Sequence, residues 1–252
     1  MKRTAIAFAA AILSAAALNA TAAAPAGDTT VVLVHGAFAD GSSWEKVIPL
    51  LQAKGVKVIA VQNPLTSLGD DVAAAKRVID AQTGKVVLVG HSWGGTVITE
   101  AGTSDKIKAL VYVAAFAPSE GETSGNLGKN YAVPPGVPTL TADAGGYLWL
   151  PADSVAKNFA QDVSPATAAL IAATQGPIAA KAFGEATTVA AWKTKPSYYI
   201  VAAKDRMIAP ELQVDFAKKL NAVTTTLQTS HVPMVSQPAK VAEVILAAVN
   251  AK

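Results

Sequence analysis

The chain has no cysteine, which excludes disulfide cross-links, thiolate nucleophiles and cysteine-ligated zinc together. Histidine is nearly as scarce. The three present, His35, His91 and His231, lie far apart and form no H-E-x-x-H metal site, and no EF-hand or P-loop spacing occurs. Aromatic residues make up 6% of the chain and charged residues 15%. With 51% of residues hydrophobic, that low charge excludes intrinsic disorder for most of the length. Basic residues outnumber acidic ones by 21 to 18, and by 19 to 18 once Lys2 and Arg3 are set aside. Such a balance gives no reason to expect a nucleic-acid or anionic-membrane partner. The length of 252 residues fits one large α/β domain or two small ones, with ample material for a core. Any chemistry is left to oxygen nucleophiles, carboxylates and one or two imidazoles.

Lys2-Arg3 precedes an apolar run from Ala5 to Leu18, broken only by Ser14, and then Asn19-Ala20-Thr21-Ala22. The order is that of a secretory leader: charged start, apolar stretch, and an Ala-x-Ala cleavage site after Ala22. The run falls short of the roughly 20 residues that a membrane span needs. Residues 1–22 are therefore expected to be a signal peptide. Residues 23–252 are expected to form a periplasmic or secreted domain with no stable membrane anchor after cleavage.

From residue 29 onward, short β-branched runs alternate with helical windows. Val31–Val34, Val56–Val61, Val86–Val89, Ala109–Ala114, Tyr198–Val201 and Thr224–Leu227 read as strands, most of them continuously apolar. Strands covered on both faces carry that signature. Helical windows fall at Trp44–Lys54, Leu68–Gln82, Thr96–Thr103, Glu211–Leu220 and Lys240–Asn250. The alternation predicts a mostly parallel, doubly wound α/β sheet of about six strands flanked by helices. It lapses between Pro118 and Pro196, where short helical patterns at Ser154–Gln161 and Pro165–Thr174 stand among loops. Residues 118–195 are expected to form a helical cap over the C-terminal edge of the sheet, where ligands bind in open α/β folds.

Gly90-His91-Ser92-Trp93-Gly94-Gly95 follows one strand and opens a helix. G-x-S-x-G also arises by chance in glycine-rich turns. Between strand and helix, however, it forms a sharp elbow that presents the serine hydroxyl at a helix N-terminus. The loop His35-Gly36-Ala37-Phe38 follows the first strand and can aim a backbone N–H at a carbonyl oxygen. The amides of Ala37 and Trp93 are the expected oxyanion donors. His35 is expected to brace its loop, and His91 to point away from the site.

A neutral serine needs a base. His231 follows the last strand and precedes the final helix, so it is the histidine placed to serve Ser92. The base in turn needs a carboxylate to hold its tautomer. Asp205 follows the strand near Tyr198–Val201 and is preferred over Glu120, Glu122 and the helical Asp215. Phe38 and Trp149 are candidate substrate contacts. Tyr131, Tyr147, Phe159 and Phe183 either line a pocket or hold the cap together, with packing the expectation for most.

The chain from Thr29 onward resembles the α/β-hydrolase superfamily. More narrowly, it resembles the cap-bearing branch of plant methylesterases and hydroxynitrile lyases, together with small bacterial esterases. The likeness rests on His35-Gly36-Ala37 with Trp44 downstream, the elbow, Lys204–Glu211, and His231-Val232-Pro233-Met234. It implies a Ser92–Asp205–His231 triad, a cap forming the acyl or alcohol pocket, a small-molecule ester substrate, and no metal or other cofactor. The leading antiparallel strands usual in the family are missing, so a smaller sheet is expected. Lyases of this branch carry a lysine after the catalytic histidine and a threonine in the oxyanion loop. Val232 and Gly36 stand there instead, which favours ester hydrolysis. Hydroxynitrile-lyase-like chemistry, a cofactor-free perhydrolase or haloperoxidase activity, and a non-catalytic ligand binder remain alternatives.

Overall fold

A computed structural model describes residues 28–251. The expected signal peptide, residues 1–22, lies outside the described residues. The chain runs β1 (Thr29–Val34), α1 (Ile48–Gln52), β2 (Lys57–Val61), α2 (Leu68–Asp80), β3 (Lys85–His91), α3 (Gly94–Ala101) and β4 (Ile107–Val113). After a long excursion it resumes with β8 (Ser197–Ala202), α6 (Pro210–Lys219), β9 (Val223–Leu227), α7 (Pro233–Ser236) and α8 (Pro238–Asn250). The excursion carries β5 (Thr141–Ala142), β6 (Tyr147–Trp149), α4 (Ala152–Ser154), a π-helical turn over Val155–Phe159, α5 (Pro165–Thr174) and β7 (Ile178–Ala179).

The main sheet has six strands in the order β2-β1-β3-β4-β8-β9, every pair parallel. Residues Val31–Val34, Val86–Val89 and Ala109–Val113 are completely buried, as the unbroken apolar runs require of central strands. The chain leaves β1 toward β2 on one side and returns to β3 on the other. The loops after β1 and β3 therefore diverge at the C-terminal edge and open a crevice between them. One expected helix is shorter than its window. Asp40 Oδ1 accepts the Ser42 N–H at 2.7 Å and starts a 3-10 turn at Gly41–Trp44, and Pro49, lacking an N–H, fits only the first turn of α1. By contrast, α5 begins where Ser164 predicts, with Ser164 Oγ accepting the Thr167 N–H at 3.1 Å.

Between β4 and β8 the excursion folds into 3-10 turns, short helices and a small antiparallel sheet of β5, β6 and β7. Among the described residues, no helix is long and apolar enough to cross a membrane.

Candidate active site

Ser92 sits in the turn between β3 and α3 with φ at +53°, in the left-handed region that non-glycine residues rarely occupy. That strained conformation is held by close packing on both sides. A Cβ on Gly90 would lie 2.5 Å from the Gly94 carbonyl oxygen, and one on Gly94 would lie 2.5 Å from the Val34 carbonyl oxygen. Only glycine lets β1, β3 and α3 approach so closely. The Ser92 N–H donates to Val113 O at 3.2 Å, and Ser92 O accepts from Gly95 N and Phe116 N at 3.0 and 3.1 Å. The backbone of the elbow is thus pinned to the end of β4.

Asp205 and His231 come from the loops after β8 and β9. His231 Nδ1 lies 2.7 Å from Asp205 Oδ2, with both side chains buried. The same oxygen accepts Gln213 Nε2 at 2.7 Å, while Oδ1 accepts Met207 N and Ile208 N at 2.7 and 3.1 Å. An acceptor-only carboxylate so surrounded assigns the imidazole proton to Nδ1 and leaves Nε2 as the basic nitrogen. Around the ring, Asp162 Oδ2 accepts Ser230 N at 2.9 Å, and the Phe159 ring stands edge-on at 5.0 Å between centroids.

Ser92 and His231 line one cavity of about 380 Å³, together with Ala37, Phe38, Phe116 and Leu212. Among the described residues no hydrogen bond joins the Ser92 hydroxyl to His231. Contacts of this kind commonly tighten only when substrate is bound. Ala37 N–H and Trp93 N–H donate to no protein acceptor among the described residues. Phe38 N–H is occupied by Gly176 O at 3.1 Å.

The other two histidines are built into the walls. His35 Nε2 accepts the Asn63 N–H at 2.9 Å, which places its proton on Nδ1, 2.9 Å from Gly36 O. Burial holds its pKa below the ordinary value, against the opposing effect of the Gly36 carbonyl. His91 lines no part of the cavity, yet it backs directly onto His231. The ring centroids are 4.8 Å apart, and His91 Nε2–H donates to the His231 carbonyl at 2.8 Å. Burial, with His231 close by, keeps His91 well below the usual pKa and neutral.

Trp149, expected as a substrate contact, does not line the cavity. Side chains alternate along β6, so Leu148 turns inward while Trp149 is 38% exposed, with Nε1 3.4 Å from Asp143 Oδ2. Phe38, Tyr131 and Phe183 do line it. Glu122 is engaged by Ser119 N at 2.7 Å and by Lys219, Glu120 pairs with Lys193, and Asp215 accepts the Tyr131 hydroxyl at 2.8 Å. Those three acids are occupied away from His231.

Two buried polar residues escaped the sequence reading. Gln213 is fully buried on the apolar face of α6, beside Leu212, Phe216 and Ala217; a polar residue on such a stripe was the available signal. Asp71, on α2, accepts Trp93 Nε1–H at 2.8 Å and Leu65 N–H at 2.7 Å, so it anchors the residue that follows Ser92.

The sheet-edge crevice holds a strained serine and a carboxylate-bound histidine that line one cavity, on a fold that known proteins share. The chain belongs to the alpha/beta hydrolase family, whose family model matches residues 31–244. It is similar to a protein named probable hydrolase R7 from Phoma sp., 28% identical over 239 residues that span 85% of this chain and 96% of that one. It is also similar to salicylic acid-binding protein 2 of Nicotiana tabacum, 36% identical over 115 residues, covering 40% of this chain and 44% of the relative. The fold matches the crystal structure of a pyrethroid hydrolase from Sphingobium faniae with a TM-score of 0.77 and 22% identity, over 88% of this chain and 98% of the other.

Proposed function

We propose that this hydrolase is a serine-dependent carboxylic ester hydrolase acting on small esters through an acyl-enzyme. The observation that carries the reading is the His231–Asp205 contact of 2.7 Å, made by a ring that shares its cavity with Ser92. Nδ1 is tied to the carboxylate, so Nε2 is the nitrogen available to a serine proton.

His231 takes the proton from Ser92 Oγ, and Ser92 attacks the ester carbonyl. The tetrahedral oxyanion is stabilised by Ala37 N–H and Trp93 N–H. His231 then hands the proton to the departing alcohol, activates water by the same nitrogen, and releases the acid. Asp205 holds the imidazole in its productive tautomer and stabilises the imidazolium. Each oxyanion donor lowers the barrier by about 3 kcal/mol in sites of this type. The excursion between β4 and β8 acts as the cap, since Ser124, Leu148 and Phe183 supply cavity wall. Residues 1–22 direct the chain to the periplasm or outside the cell and are removed.

A lyase reading is disfavoured by space. A side chain at position 36 would place its Cβ 2.7 Å from Ser92 Cβ, so the oxyanion-loop threonine of those enzymes does not fit beside this serine. Val232 is buried away from the cavity that Ser92 lines and offers no cation to a leaving group. The test is hydrolysis of short p-nitrophenyl esters by Ser92→Ala. Turnover is expected to fall by about 10⁴-fold or more with the melting temperature retained; wild-type turnover in that variant overturns the proposal.

A further inference from the structure

The acyl-transfer reading leaves a buried hydroxyl pair at the cavity wall unused. Thr96 Oγ1, on α3 four residues past Ser92, lies 2.6 Å from Ser124 Oγ. Thr96 is completely buried, and Ser124 is 2% exposed and lines the cavity. Two hydroxyls carry two protons, and the bond between them uses one. The direction of that bond decides which proton is left over.

A helical threonine commonly gives its proton to the carbonyl four residues back. Thr99 does so, donating to Gly95 O at 2.8 Å. For Thr96 the equivalent acceptor is Ser92 O, and both of its lone pairs are taken, by Gly95 N and Phe116 N. Among the described residues Thr96 has no acceptor other than Ser124, so its proton goes to Ser124 Oγ. The Ser124 O–H is then the donor without a protein acceptor, on a wall shared with Phe116, Leu148, Phe183 and Leu212. Tyr131, another polar liner, has its hydroxyl committed to Asp215, and Lys129 sits exposed at the rim. A desolvated hydroxyl donor among apolar side chains is costly until something accepts from it.

We propose that Ser124 binds substrate by donating to an uncharged acceptor oxygen, a ketone or ether, on an otherwise apolar ester. Ser92 and Ser124 line the same cavity, so that oxygen and the carbon that Ser92 attacks belong to one small ester. The acceptor is uncharged because a single neutral hydroxyl does not offset the desolvation of an anion in such a wall. This inference rests on the acyl-transfer reading and deepens it.

The test compares kcat/KM within matched pairs, each corrected for its alkaline hydrolysis rate. On the acyl side the pair is p-nitrophenyl 4-oxopentanoate and p-nitrophenyl pentanoate; on the alcohol side it is 2-ethoxyethyl acetate and pentyl acetate. The wild type is expected to prefer the oxygenated member of at least one pair by about tenfold, the worth of one neutral hydrogen bond. In Ser124→Ala the ratio is expected to fall close to one. Ser124→Cys fills the same space with a slightly larger side chain and a weak donor, is expected to lower the ratio likewise, and serves if the alanine variant fails to fold. Ratios near one in the wild type for both pairs, or a preference that survives in both variants, overturn the inference while leaving the acyl-transfer reading standing. Hydrolysis of neither member, with Ser92 inert to a fluorophosphonate, overturns both.

Discussion

Gln213 Nε2 and His231 Nδ1 meet on the same oxygen of Asp205, each at 2.7 Å. Gln213 also donates to Ile208 O at 3.0 Å, and its Oε1 accepts Ala202 N at 2.9 Å. One fully buried amide thus ties the end of β8, the start of α6 and the carboxylate that orients the imidazole. With its carbonyl held by Ala202, the amide can offer the carboxylate only N–H groups, so Asp205 is oriented as an acceptor toward His231.

Replacing Gln213 with leucine strands the buried Ala202 N–H and removes a donor from Asp205. A loss of roughly 2–3 kcal/mol in unfolding free energy is expected, since a buried group left unpaired costs more than the bond itself contributes. Turnover is expected to fall about tenfold with KM little changed, because the lost contact orients the base without touching substrate. Urea unfolding and steady-state kinetics on one ester check both; unchanged turnover contradicts the positioning role.

Burial raises the Asp71 carboxyl from the ordinary value of 3.8 to about 6, against the opposing Trp93 and Leu65 N–H donors. Asp70 and Glu185 nearby add to the rise. Between about pH 4 and pH 6 the folded chain keeps a proton that the unfolded chain has released. The contribution of Asp71 to stability therefore falls as pH rises through that window and levels off above it, by on the order of 3 kcal/mol. The stability difference between wild type and Asp71→Asn, followed from pH 4 to pH 7, is expected to show that decline. A difference independent of pH contradicts it.

Gly36 lies against the nucleophile: a Cβ there would come within 2.7 Å of Ser92 Cβ and 2.9 Å of His91 O. Backbone oxygen on one side and the strained elbow on the other leave no soft direction to yield. Gly36→Ala is expected to cost about 1–3 kcal/mol of stability as an overpacked site. Displacement of Ser92 by an ångström is expected to lower turnover by about 100-fold. Kinetics with p-nitrophenyl acetate and thermal unfolding test this; wild-type values for both contradict the close fit.

The sheet was legible because its central strands carry uninterrupted apolar runs rich in valine, and a run covered on both faces has no polar residue to confuse with a helix. Ser92, Asp205 and His231 could be singled out because each follows a strand, and parallel strands bring all such loops to one edge. What stayed hidden depends on contacts that no local pattern encodes. Asp162 reaches Ser230 across 68 positions, and Gln161 Nε2 reaches Lys204 O across 43. The sequence of the excursion predicts a helical cap, yet much of it is 3-10 turn, π-helical turn and two- or three-residue strand, elements too short for a hydrophobic period. The same shortness explains Trp149: with three residues in β6, sequence alone does not say which face turns inward.

Ser92 is proposed as an activated nucleophile, and its reaction with a fluorophosphonate, followed by mass spectrometry of the intact chain and its peptides, tests that most sharply. One adduct per chain is expected, on the peptide carrying Ser92, formed at least about 100-fold more slowly when His231 is replaced by alanine. A folded chain whose Ser92 stays unmodified, or is modified at the same rate without the imidazole, would contradict it.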